Sequence, residues 1–244
     1  MKGFSRFCRS ICCVVLAMIV CLSYARYSAG APRAVSSQTD TGEVRCVYLT
    51  FDDVPTVHTE KILDMLKENN MKATFFVLEV YIDKYPEVIS RILQEGHAIG
   101  LHGSSHKAEL IYATDTSPVE EMDSVNQRLY ELTGMKSSIV RTPYGSKPSM
   151  NQRQIDNLEK AGYTIWDWNV DTKDANGANV DPEAIYRRAV EGMQKQNNAI
   201  ILMHNMKSSK NALPKILKYI KENNIETKVI TADDKAYSFT NLTK

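Results

Sequence analysis

The chain has 244 residues, 43% hydrophobic and 24% charged, with 11 Gly and 8 Pro, a composition that excludes disordered, collagenous and coiled-coil proteins. Thirty basic residues stand against 29 acidic ones, so the net charge of +1 leaves no electrostatic footprint for nucleic acid, and none is expected as a partner. One large domain fits this length.

The first 25 residues read as a targeting segment. Lys2, Arg6 and Arg9 precede twelve uninterrupted apolar residues, Ile11 to Leu22, and Ser23-Tyr24-Ala25 supplies a small-x-small cleavage pattern. A spanning helix needs roughly 20 apolar residues, so a cleaved secretory signal is expected, with an uncleaved signal anchor as the alternative. Either places the protein outside the cytoplasm, secreted or anchored to the outer face of the cell membrane. Cys8, Cys12, Cys13 and Cys21 all lie in this segment, which leaves Cys46 alone in the mature chain and no partner for an intramolecular disulfide. Removal of the leader takes three basic residues with it and brings the net charge to about −2.

Residues 26–43, rich in Ser, Ala, Thr and Gly without apolar period, read as a flexible linker, and 44–244 as the folded domain. Strands are expected at 44–51, 73–78, 97–101, 138–142, 163–168, 199–203 and 226–230. Helices are expected near 59–69, 86–95, 118–132, 150–161, 181–196 and 211–223. Asp181-Pro182 and Ser117-Pro118 mark helix starts, while Gly96, Gly134 and Gly162 sit where helices should stop. Seven strand–helix repeats imply parallel strands with crossover helices. A barrel is favoured over an open wound sheet because no Gly-x-Gly-x-x-Gly follows the first strand.

In such folds the chemistry lies at the carboxyl ends of the strands. There stand Asp52-Asp53, His102 and His106, Arg141-Thr142-Pro143-Tyr144-Gly145, Asp171 and Asp174, and His204. Singly, each has an ordinary explanation: adjacent acids form turns, His-x3-His pairs arise incidentally, and a strand-end His is commonly a hydrogen-bonded structural residue. Gathered on one rim, carboxylates, imidazoles and an Arg point to a site. His97 and His58 are read as structural and solvated respectively, and at least one of Trp166 and Trp168 as core. Asp171 is open between a site residue and a strand-end cap, and Lys207, Lys210, Lys215 and Lys218 read as a solvated face.

Thr50-Phe51-Asp52-Asp53, His102-x3-His106, Arg141-x-Pro143-Tyr144-Gly145, Asp171-x-x-Asp174 and Ile201-x-x-His204 together resemble the five ordered motifs of the polysaccharide deacetylase family. This is the NodB-homology or carbohydrate esterase family 4 domain, and within it the chain is most similar to bacterial peptidoglycan N-acetylglucosamine deacetylases. The resemblance spans about 45–235 and implies a distorted (β/α)7 barrel with a divalent metal, zinc first, with Co2+, Ni2+ or Mn2+ as alternatives. It further implies Asp53, His102 and His106 as metal ligands, Asp52 as general base, and Arg141 as the group that keeps Asp52 ionised. It implies the Tyr144 backbone N–H as an oxyanion donor, His204 as general acid and Asp174 as the carboxylate orienting it. Two imidazoles and one carboxylate leave zinc with open positions, as a catalytic rather than a structural site requires. The expected substrate is an acetylated polysaccharide, whether peptidoglycan, chitin-like or xylan-type, and the expected state is a monomer.

Three positions depart from the family pattern: Val54 stands where Gly is usual, Gly103 where Ser or Thr is common, and Ala175 where many members carry Trp. They bear on substrate preference more than on activity. The rival readings are an O-acetyl esterase acting on acetylated xylan, a non-catalytic glycan-binding module of the same fold, and a phosphatase with an aspartyl nucleophile. Keeping both a base and an acid argues against the binding module, and the His pair argues against the phosphatase.

Overall fold

A computed structural model of the protein describes residues 46–177 and 179–241. The expected signal segment and linker lie outside these residues. Eight strands form one parallel sheet: β1 (Cys46–Val54), β2 (Thr74–Leu78), β3 (Ala98–Gly103), β4 (Ile139–Val140), β5 (Thr164–Ile165), β6 (Val170–Asp171), β7 (Asn198–His204) and β8 (Glu226–Lys228). Their order is β5-β4-β3-β2-β1-β7-β6, and β8 pairs with the first three residues of β1. The helices are α1 (Thr59–Glu68), α2 (Glu79–Ile82), α3 (Pro86–Gln94), α4 (Ala108–Ile111), α5 (Ser117–Thr133), α6 (Gln152–Lys160), α7 (Pro182–Met193) and α8 (Lys207–Glu222). This is the expected distorted (β/α)7 barrel, with no pairing between β5 and β6.

Alternation along β1 builds two cores at once. Val47, Leu49 and Phe51 join the large cluster packed against helical residues such as Ile62, Leu66, Ile216 and Ile220. Cys46 and Tyr48 instead join Phe76, Ile139, Trp166 and Ile200 in a smaller inner cluster. Since successive side chains on a strand point to opposite faces, Thr50 and Asp52 belong to that inner set. The strand is apolar on both faces because both are covered, and polar residues enter only where it reaches the rim. Cys46 is free and buried, as expected of a small strand residue.

The helix ends follow the sequence signals. Asp181 accepts a hydrogen bond from Glu183 N–H with Pro182 in the first turn, and Asn151 and Gln154 close a capping box at the start of α6. Gly96, Gly134 and Gly162 all take positive φ. The helix expected at 211–223 begins four residues earlier, at Lys207, and carries Pro214 in its interior.

The fifth strand departs most from expectation. Instead of running 163–168, the ladder stops at Ile165 and resumes as β6 beside β7. Trp166 N–H still donates to the Val140 carbonyl, but the carbonyls of Trp166 and Asp167 turn to the Arg141 guanidinium at 3.0 Å each and Asp167 N–H goes to the Tyr237 carbonyl. Trp166 turns into the inner core, and Asn169 patches the gap by accepting from Ile200 N–H and donating to Asn198 O.

Candidate active site

Strand register sets the first pair of functional groups level with each other. Parallel pairing of β1 with β7 runs from Cys46↔Asn198 to Asp52↔His204, so the last partners of the ladder carry a carboxylate and an imidazole. Beyond them β1 loses regular register with β2 between Phe51 and Val54, and in that irregularity Asp53 takes a φ of 60°. Left-handed backbone is uncommon for a non-glycine residue, and here Asp53, His106 and Tyr144 share it. Val54 packs completely buried behind it, so the residue that departs from the family pattern serves the core while Asp53 itself makes the turn.

Asp52 and Arg141 form a buried ion pair, Oδ1 to Nη1, at 2.9 Å. Arg141 is 0% exposed, and three more of its N–H groups go to Thr50 Oγ1 at 2.7 Å and to the two carbonyls already named. The guanidinium also lies 4.1 Å from the centre of the Phe76 ring. Burial alone would raise the pKa of Asp52, but the charge of Arg141, reinforced by His102 and His204, carries it below the ordinary carboxylate range. The pair therefore holds an ionised carboxylate at the rim.

Three donors converge beside it. Asp53 Oδ1 lies 3.6 Å from His102 Nε2 and 3.7 Å from His106 Nε2, and the ligand atoms of the three residues all fall within 4.8 Å of one another. Donors about 2.1 Å from a tetrahedral zinc would be separated by roughly 3.4 Å. His102 Nδ1 donates to the Arg141 carbonyl at 2.6 Å, which fixes the tautomer and leaves the Nε2 lone pair facing the cluster. That Nε2 and Asp53 Oδ1 are buried without hydrogen-bond partners among the described residues. Orphaned buried donors are costly unless something binds them, so the set fits a divalent cation. Burial pushes the pKa of His102 down, against the pull of Asp52 and Asp53, which favours the neutral, ligating form.

Across the rim, His204 Nδ1 meets Asp174 Oδ1 at 2.8 Å, while Asp174 Oδ2 accepts from the His204 backbone N–H and from the Ser209 hydroxyl. Asp174 is fully buried and follows β6. Burial works against charging His204, yet the hydrogen bond and charge of Asp174, with Asp52 and Asp53 further off, raise its pKa to about 9. Tyr144 takes a φ of 67°, and its ring packs edge-on to His106 at 4.8 Å. Its backbone N–H has no protein acceptor among the described residues.

The structure thus gathers Asp52, Asp53, His102, His106, Arg141, Tyr144, Asp174 and His204 on one rim. Asp171 stands apart: it is exposed and caps its own strand end by accepting from Lys173 N–H at 2.8 Å. His97 is buried and accepts from Ala73 N–H, His58 is half-buried at the start of α1, and Lys215 and Lys218 pair with Glu183 and Glu222. Sequence reasoning missed Asp167, whose carboxylate binds Ser146, Ser238 Oγ and Phe239 N–H while its carbonyl holds Arg141. Its position between two tryptophans near the rim was the only signal available.

A parallel barrel with a two-imidazole, one-carboxylate cluster and a separate acid–base pair defines a hydrolase-like architecture. The chain belongs to the polysaccharide deacetylase family, whose sequence profile matches residues 39–166. It is 42% identical to YheN of Bacillus subtilis, named provisionally as a polysaccharide deacetylase, over 73% of this chain and 64% of that protein. It is 32% identical to a peptidoglycan-N-acetylglucosamine deacetylase of Bacillus cereus over 80% of this chain and 72% of the relative. The crystal structure of the Bacillus cereus polysaccharide deacetylase Bc1974 superposes with a TM-score of 0.74 at 28% identity, covering 80% of this chain and 97% of that one. Asp174 and His204 lie beyond the profile match.

Proposed function

We propose that the protein is a metal-dependent amidohydrolase that removes N-acetyl groups from N-acetylglucosamine residues of peptidoglycan. The observation that carries this reading is the division of labour on the rim: an ionised Asp52 beside two orphaned donor atoms, and a protonated His204 facing them. The glycan class is supported by the names of the relatives.

Asp53, His102 and His106 would hold the metal, which supplies a Lewis acid that polarises the amide carbonyl and acidifies water. Asp52, kept anionic by Arg141, accepts the proton of the attacking water. The Tyr144 N–H donates to the oxygen on which negative charge develops. His204 delivers its Nε2 proton to the amide nitrogen, because an amine leaves readily only once protonated, and Asp174 holds Nδ1 and steadies the charge. Acetic acid and a free glucosamine amine result, the acid losing its proton to solvent, and a proton passing through solvent from Asp52 to His204 restores both groups.

Zinc is the metal this donor set suits best, and export is the location that the basic and apolar N-terminal segment supports. Elemental analysis of the purified chain, compared with His102→Ala plus His106→Ala, tests the metal. About one equivalent of zinc is expected in the first and a marked loss in the second; full metal content in the double variant would remove these ligands from the account.

A further inference from the structure

His102 and His106 are held by different means. His102 ends β3 and is locked through Nδ1 to the Arg141 carbonyl. His106 lies beyond the strand, with a φ of 58°, and no hydrogen bond steadies its imidazole among the described residues. Apart from the Tyr144 ring packed edge-on against it, its direction depends on the short loop that carries it.

That loop is gripped at Ser104, where every polar group is taken. Its N–H donates to Glu121 Oε2 at 2.5 Å, its hydroxyl to Glu79 Oε2 at 2.6 Å, and its carbonyl accepts from Val80 N–H at 3.2 Å. Glu79 opens α2 and Glu121 sits in the second turn of α5, so two helices reach in to one residue. Gly103 belongs to the same device. Its φ is +108°, and a Cβ there would stand 3.2 Å from Glu121 Oε2, so the absence of a side chain gives the carboxylate its place against the loop.

The geometry points to Glu79 and Glu121 as positioning residues that aim His106 at Asp53 and His102, taking over at this loop the stiffening that a hydroxyl at position 103 could supply. A carboxylate accepting a backbone N–H makes a short, charge-assisted bond, which suits it to fix a loop carrying a metal ligand. The inference rests on the metal reading above for its consequence, while the aiming of His106 is a property of the metal-free protein.

The test therefore uses two readouts on the full chain with Glu121→Ala, Glu121→Gln and Glu79→Ala. Zinc affinity by competition with a chromophoric chelator should fall roughly 10-fold or more in Glu121→Ala, fall less in Glu79→Ala, and largely recover in Glu121→Gln, which keeps an acceptor oxygen. Imidazole NMR signals of the metal-free protein should shift or broaden for His106 and stay in place for His102. Should Glu121→Ala not fold, Glu79→Ala carries the same test, since it removes only the hydroxyl's partner. An unmutated chain that binds no zinc would end the metal reading, yet the NMR comparison would still decide the positioning. Unchanged His106 signals and unchanged affinity in both alanine variants would overturn the inference, as would equal disturbance of both histidines without rescue by Gln.

Discussion

Adjacent aspartates serve different ends because β1 delivers them differently: Asp52 is the last regular partner in the ladder, buried against Arg141, while Asp53 turns out of it with left-handed backbone. Asp52→Asn should accordingly keep most of the zinc while lowering turnover by roughly 10²-fold or more, and Asp53→Asn should lose the metal. Elemental analysis beside initial rates checks both, and the reverse pattern would exchange the two roles. His204 yields a pH prediction. Its pKa rises from 6.5 to about 9, so the charged pair with Asp174 stabilises the fold fully below about pH 6.5 and the contribution disappears as pH passes about 9. In the folded protein the general acid keeps its proton until pH nears about 9, so activity should fall above about pH 9, and Asp174→Asn should bring that fall to lower pH in a rate profile. The residues legible from sequence were those whose type announces chemistry at a strand end. Asp167 and Glu121 were not, because their partners Ser146 and Ser104 lie 21 and 17 residues away and nothing local marks the pairing.

At the scale of elements, the site depends on how the inner core is packed beneath it. A Cβ on Gly100 of β3 would stand 2.4 Å from the edge of the fully buried Phe76 ring, the same ring on which Arg141 stacks. Gly100→Ala should therefore cost about 1–3 kcal/mol in thermal or denaturant unfolding and lower turnover with it, since the ring that must move is fully buried and carries Arg141 on its face. Unchanged stability would show that the ring yields. Most elements could be read from periodicity and capping, Asp181-Pro182 before α7 and Gly134 after α5 among them. The break between β5 and β6 could not, because residues 163–168 have good strand composition and their backbone groups go instead to distant partners, the Arg141 guanidinium just after β4 and the Tyr237 carbonyl. The four-residue helices α2 and α4 are too short to show a helical period at all.

For the molecule as a whole, the barrel brings groups from five strand ends to one rim, while the order of motifs along the chain carries only a hint of their proximity. Register supplies the rest: β1 pairs on one side with β7, which carries His204, and on the other with β2, whose neighbour β3 carries His102. The chemistry proposed for this rim is hydrolysis of the acetamide of N-acetylglucosamine. Its most direct test is mass spectrometry of N-acetylglucosamine oligomers and peptidoglycan fragments incubated with the zinc-loaded chain, alongside zinc-replete Asp52→Asn. A loss of acetyl mass is expected, one group per sugar converted, with the glycosidic bonds intact and almost none of it in the variant; unchanged substrate masses with the unmutated, zinc-replete chain would refute the deacetylase function.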